Sequence, residues 1–216
     1  MIPLRDNNPT KSFPIFTLLL IAANIFIFLY QMSLGPAMEP FVMQLAAVPY
    51  EIMHLRDISP KTDVPIAATL LTSMFVHGNL LHLGGNMLYL WIFGDNIEDS
   101  LGHLRFILFY FICGLIATFT HIITGPNSTT PIVGASGAIA GVLGAYLLLY
   151  PRAKVDTLFI LIIFIKIIRI PAFILLTLWF VLQVLNSTEG GSVAWYAHIG
   201  GFIAGFLLVK PLRKKK

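Results

Sequence analysis

The segment Pro131 to Tyr150, PIVGASGAIAGVLGAYLLLY, sets one hydroxyl, Ser136, among glycines at the opening of an otherwise apolar run. A serine in the first turn of a helix sits beside backbone N–H groups that lack partners, where the helix dipole favours negative charge. An oxyanion can be held there. Such a serine becomes a nucleophile when a histidine takes its proton. The candidate is His198, in AWYAHIGGFIAGFLL, where Ala197, Gly201 and Gly205 recur every four residues. That small-residue seam suits close helix contact in lipid, and Gly137, Gly141 and Gly144 give the Ser136 segment a matching bare face. Packing the two faces together lets the imidazole reach the hydroxyl. His82 and Asn86 lie at i and i+4 on one helix face and supply side-chain donors to the oxyanion, with the Ser136 amide as a backbone donor.

These residues must be held in a membrane. Of the 216 residues 57% are hydrophobic and 11% charged, with mean hydropathy +0.84, against roughly 25% charged in soluble domains. The expectation is an all-α polytopic membrane protein with six spans, near 13–34, 79–97, 104–124, 134–150, 170–187 and 194–210, each close to the ~20 residues a bilayer requires. Residues 1–12 and 211–216 are expected as tails around one membrane domain, 13–210. The first apolar run is longer than a signal-peptide core and is read as a retained span. With the N-terminus inside, only Arg56 and Lys61 of the 14 basic residues lie outside; the basic tail ending in Lys215 and Lys216 lies inside. Both termini are therefore expected in the cytoplasm of a cell-membrane protein. The net charge of +4 is scattered over short loops, which is not a nucleic-acid footprint. The single cysteine, Cys113, excludes an internal disulfide framework.

In this arrangement spans two, four and six all run from outside to inside, and each carries polar groups in its first turns: His82 and Asn86, Ser136, and His198. Intramembrane polar groups are costly and tend to be functional. None of the ten acids falls in the outer half of a span, Glu189 lying in a Gly-rich loop, so a Ser–His dyad without an acidic third member is expected. A metal site from His77, His82 and His198 is the alternative chemistry, but a helical zinc protease needs HExxH and the chain lacks it. Glu98 and Asp99 follow span two; Glu98 is expected to tie helix ends together, with Arg105 as its partner. The stretch 35–78 is expected to lie partly in the outer interface. The stretch 155–168 is too short between Asp156 and Lys166 to span and is expected to be re-entrant or interfacial.

Four motifs together resemble the rhomboid family of intramembrane serine proteases: FVHGNLLHLGGN (75–86), GDNIEDSLG (94–102), GASGAIAGVLGAY (134–146) and AHIGGFIAG (197–205). The resemblance runs most clearly from Thr69 to Gly205 and is to the bacterial six-span form. It implies Ser136 as nucleophile, His198 as base, His82 and Asn86 at the oxyanion, and Glu98 as a structural glutamate. It also implies that 35–78 is an outer loop dipping into the membrane. One departure stands out. Some members carry a tyrosine four residues after the serine, stacked on the histidine; here that position is Ala140, so His198 is expected to be oriented by packing on Gly137 and Gly141 or by Trp195.

The implied function is intramembrane cleavage of transmembrane segments of single-span or multi-span membrane proteins near the outer face, with no cofactor or metal. The alternatives are a catalytically silent relative that binds membrane clients, which usually lacks the serine or histidine, and a small channel or transporter with polar groups lining a water path. The sequence leaves the oligomeric state open.

Overall fold

The computed structural model describes residues 1–58, 64–161, 164–188 and 193–214. Lys61, Glu189, Lys215 and Lys216 lie outside the described residues. The chain runs β1 (Ile2–Asp6), α1 (Ile15–Ser33), α2 (Met38–Leu45), α3 (Pro49–His54), α4 (Ile66–Thr72), α5 (Leu80–Leu101), α6 (His103–Thr124), α7 (Ser136–Leu149), β2 (Lys154–Leu161), β3 (Phe164–Pro171), α8 (Ala172–Asn186) and α9 (Trp195–Leu212).

Short-range chemistry sets the helix ends. The Asn79 side chain accepts from the His82 amide at 2.8 Å and opens α5. Gly102, at φ 82°, closes α5 and opens α6, a left-handed backbone that glycine adopts without strain. The start of α1 has no cap of its own. Glu98, fully buried near the end of α5, caps it from a distance: its carboxylate accepts from the Phe16 amide (2.9 Å), the Thr17 amide (2.8 Å) and the Thr17 hydroxyl (2.7 Å). Asp99 does the same one turn earlier, accepting from the Ser12 amide and hydroxyl. The expected tie of Glu98 to Arg105 is corrected: His103 Nδ1 is its further partner at 2.6 Å, while Arg105 reaches the carbonyls of Leu212 and Arg213.

At the centre of the bundle is α7, with every residue from Ala138 to Tyr146 buried. It packs against α5, α6 and α9. Against α9 no space separates the backbones. A Cβ added at Gly201 would lie 2.1 Å from the Gly137 carbonyl oxygen, and one added at Gly205 would lie 1.8 Å from that of Gly141. Outward-facing side chains are apolar: Phe26 and Leu29 on α1, Leu104 and Leu108 on α6, Leu185 on α8 and Leu207 on α9 are all exposed. A soluble protein would not show such a continuous apolar exterior; this is a helical membrane bundle.

By length and composition α1, α6 and α9 can cross a bilayer among the described residues. The remaining three of the six expected spans differ in kind: α7 and α8 are apolar but have 14 and 15 residues, and α5 carries Asp95, Glu98 and Asp99 in its last turns.

The stretch 155–168 has a conformation the sequence did not suggest. It is extended rather than helical: β2 and β3 form an antiparallel hairpin, and β1, from the segment expected as a tail, adds antiparallel to β2 to give a sheet of order β1-β2-β3. Asp156 accepts from Arg5 on β1 (2.8 Å) and Arg169 on β3 (3.0 Å). The Arg5 bond first, then Arg169, holds its carboxyl below the usual range. Asp6 fastens the sheet to the bundle by accepting from the Tyr146 hydroxyl of α7. Between α1 and α5, the described residues of the stretch 35–78 include the short helices α2, α3 and α4, and Ala47 forms a backbone bridge with Ile132 just ahead of α7.

Candidate active site

Three helices bring their N-terminal ends to one cavity of about 910 Å³. Ser136 is the first residue of α7, His198 the fourth of α9, and His82 and Asn86 lie in the first two turns of α5. The Ser136 hydroxyl and His198 Nε2 are 2.9 Å apart. That closeness follows from the glycine seam, since Gly137 and Gly201 touch one residue beyond Ser136 and three residues beyond His198. Both side chains line the cavity, so the contact is reachable rather than sealed in the core.

His82 and Asn86 line the same cavity and close over Gly134. A Cβ there would lie 2.6 Å from the His82 ring and 3.3 Å from Asn86 Nδ2. Gly134 sits at φ 105°, which brings the chain under these side chains just before Ser136. Asn86 Nδ2 lies 2.9 Å from Nε2 of His77, a fully buried residue. A primary amide has two N–H groups, so one remains for a ligand in the cavity. The loop carrying His77 is clamped in turn: Gln31 of α1 donates to the His77 carbonyl (3.0 Å) and accepts from its amide (3.2 Å). The first-turn amides of α7 complete the donor set. Among the described residues no group of three or more His, Cys, Asp or Glu side chains is placed to hold a metal ion.

The fold, the serine–histidine pair and its glycine setting converge with sequence comparison. Residues 67–215 match the Rhomboid domain family. The chain belongs to the rhomboid family. Among curated relatives of this rhomboid, the Rhomboid protease GluP of Bacillus subtilis (strain 168) is 36% identical over 143 residues, covering 66% of this chain and 25% of that protein. The RHOMBOID-like protein 5 of Arabidopsis thaliana is 34% identical over 146 residues (64% of this chain, 42% of that protein). The mitochondrial Rhomboid protein 1 of Saccharomyces cerevisiae (strain ATCC 204508 / S288c) is 31% identical over 161 residues (68% and 42%). The chain thus spans between a quarter and 42% of the length of these relatives.

Of the residues singled out in this rhomboid's sequence, Ser136, His198, His82 and Asn86 come together, and Gly137, Gly141, Gly201 and Gly205 form the seam beneath them. Glu98 lies elsewhere, 12 residues beyond Asn86 and so about 18 Å further along α5. Two residues of α8 were not foreseen. Gln183 Oε1 is 2.8 Å from His198 Nδ1, and the Trp179 ring lies 5.9 Å from the imidazole at 38°. Trp195 meets it edge-on at 6.1 Å and 88°. The support that Ala140 cannot give therefore comes from α8 as well as from Trp195. The available signal was a lone amide, Gln183, inside the apolar run of α8.

Proposed function

We infer that this rhomboid is a serine endopeptidase that cuts transmembrane segments of membrane proteins near the outer face of the bilayer, with Ser136 as nucleophile and His198 as general base. The observation that carries this reading is the 2.9 Å contact between the Ser136 hydroxyl and His198 Nε2 inside a roomy, partly polar cavity. A serine held only for packing needs neither the imidazole nor the cavity.

The chemistry follows from the geometry. His198 Nε2 takes the Ser136 proton as Oγ attacks the substrate carbonyl. The resulting oxyanion accepts from the Ser136 amide and from the Asn86 and His82 side chains, which are already fixed and require no reorganisation. The C–N bond breaks, the leaving amine takes the proton from Nε2, and an acyl-Ser136 remains. Water, deprotonated by the same nitrogen, releases it. The substrate's own helix must unwind first, because helical carbonyls are engaged in hydrogen bonds. Substrates with helix-weakening glycine or proline cross that barrier more readily, and we assign their lateral route to the α8 side of the cavity.

Depth supports the assignment. The 14 residues of α7 reach only about 21 Å, against the ~30 Å hydrocarbon core. A serine at its N-terminus is then below the membrane surface, and the cavity above it supplies the water. In this reading α1, α5, α6, α7, α8 and α9 are six spans, and the Lys and Arg asymmetry puts both termini in the cytoplasm of a cell-membrane protein.

The test is purified protein with a single-span substrate and a fluorophosphonate probe. Wild type cleaves and is labelled; Ser136→Ala and His198→Ala each lose cleavage while keeping the wild-type melting temperature within a few degrees. Undiminished cleavage by Ser136→Ala refutes the assignment. A solute flux with no labelling would instead favour a transporter.

A further inference from the structure

We propose that Gln183 is the positioning residue for His198, a neutral third member that fixes the tautomer of the base from α8. This rests on His198 acting as the base. The argument is a chain of donors and acceptors in which each link leaves the next no choice. Gln183 is buried, and its Nε2 donates to the Trp179 carbonyl at 2.9 Å. A carbonyl only accepts, so the amide nitrogen must face Trp179 and Oε1 must face His198. Oε1 also only accepts. The His198 Nδ1 that lies 2.8 Å from it must then carry the hydrogen. A neutral imidazole has one, so Nε2 presents a lone pair, and that nitrogen is the one 2.9 Å from the Ser136 hydroxyl. The Trp179 carbonyl thereby sets the protonation pattern of His198 through a single side chain.

The arrangement performs part of what an acid does in a three-membered site. It holds the ring, selects the tautomer, and strengthens when His198 becomes cationic, because Nδ1–H then donates from a charged ring. It brings no buried charge into the bundle. The amide takes no proton itself, so the proton gained from Ser136 leaves only through Nε2 toward the amine. The tryptophan whose carbonyl anchors the amide also lays its ring beside the imidazole, so α8 supplies both the orientation and the flat support that Ala140 cannot.

The test compares Gln183→Met, which keeps length and bulk but removes the acceptor, with Gln183→Glu, which keeps an acceptor oxygen. Three readouts are taken on full-length protein in detergent: fluorophosphonate labelling rate, kcat and KM on a single-span substrate, and the imidazole 15N signals of His198. We expect Gln183→Met to lose about 10–100-fold in kcat and labelling with KM within twofold, and to show a mixed-tautomer 15N pattern. Gln183→Glu is expected within about fivefold of wild type, with the Nδ1–H pattern retained. Wild-type kcat and an unchanged 15N pattern in Gln183→Met overturn the proposal. Equal losses in both variants, or a loss confined to KM or melting temperature, overturn it as well. An inactive Ser136→Ala beside a fully active Gln183→Met sinks only this assignment, whereas an active Ser136→Ala sinks the protease reading beneath it.

Discussion

Substituting Gly201 by alanine tests the claim that backbone contact sets the Ser136–His198 spacing. The added Cβ would lie 2.1 Å from the Gly137 carbonyl oxygen and 3.2 Å from the Ala117 Cβ. A carbon and a carbonyl oxygen settle no closer than about 3.3 Å, so α9 and α7 must part by about 1.2 Å at this level. Neither neighbour is a flexible side-chain tip that can swing aside. Carried to the site, that displacement stretches the 2.9 Å Ser136–His198 contact to about 4 Å, beyond hydrogen-bond range. Overpacking of this kind costs about 1–3 kcal/mol, or about 2–12 °C of melting temperature for a chain of this size. The assay is fluorophosphonate labelling well below the melt, alongside a thermal melt in detergent. Gly201→Ala is expected to label at least tenfold more slowly and to melt earlier. The control is Gly84→Ala on α5, where an added Cβ meets nothing within 4 Å; it should label as wild type. A Gly201→Ala protein with wild-type labelling and melting would refute the reasoning.

Two further perturbations probe the frame around the site. Glu98→Gln keeps the shape of the buried side chain but turns one acceptor oxygen into a donor facing the α1 amides or His103; a loss of about 2–4 kcal/mol in stability is expected, read as an earlier melt, with the labelling rate well below the melt unchanged. Asp6 is held by burial at a pKa raised to about 6, despite the bond from Tyr146. A carboxyl raised in the folded state keeps its proton between about pH 4 and 6 where the unfolded chain has lost it, so stability falls as pH rises through that window and is level above it. Asp6→Asn, which keeps an acceptor for Tyr146, should flatten this fall and melt later than wild type at pH 7.5; parallel pH curves for the two proteins would count against the assignment.

Much of the site could be read from residue types. Ser136, His198, His82 and Asn86 announce themselves as polar groups near the starts of apolar helices, and the four-residue spacing of Ala197, Gly201 and Gly205 declares a contact seam. Gln183 was missed because a lone amide in an apolar helix has no period and no motif, and its partners come from its own preceding turn and from α9. The role of Glu98 was legible and its partners were not: Arg105 is near in sequence, but the amides it caps belong to α1, 81 and 82 residues away. The hairpin of β2 and β3 escaped for a different reason. Its apolar, β-branched run lacks the Gly, Asn or Pro that marks a turn, and its third strand lies about 150 residues upstream, beyond any local pattern.

The seam between α7 and α9 divides this protein's inheritance. Where main chain presses on main chain, any side chain added at Gly201 or Gly205 meets a backbone carbonyl, so the distance between hydroxyl and imidazole leaves no room for adjustment. The walls of the cavity are side chains such as Leu81, Tyr89, Val133 and Val193, and they can be exchanged one at a time. What the cavity admits can thus be altered at its walls without moving Ser136 against His198.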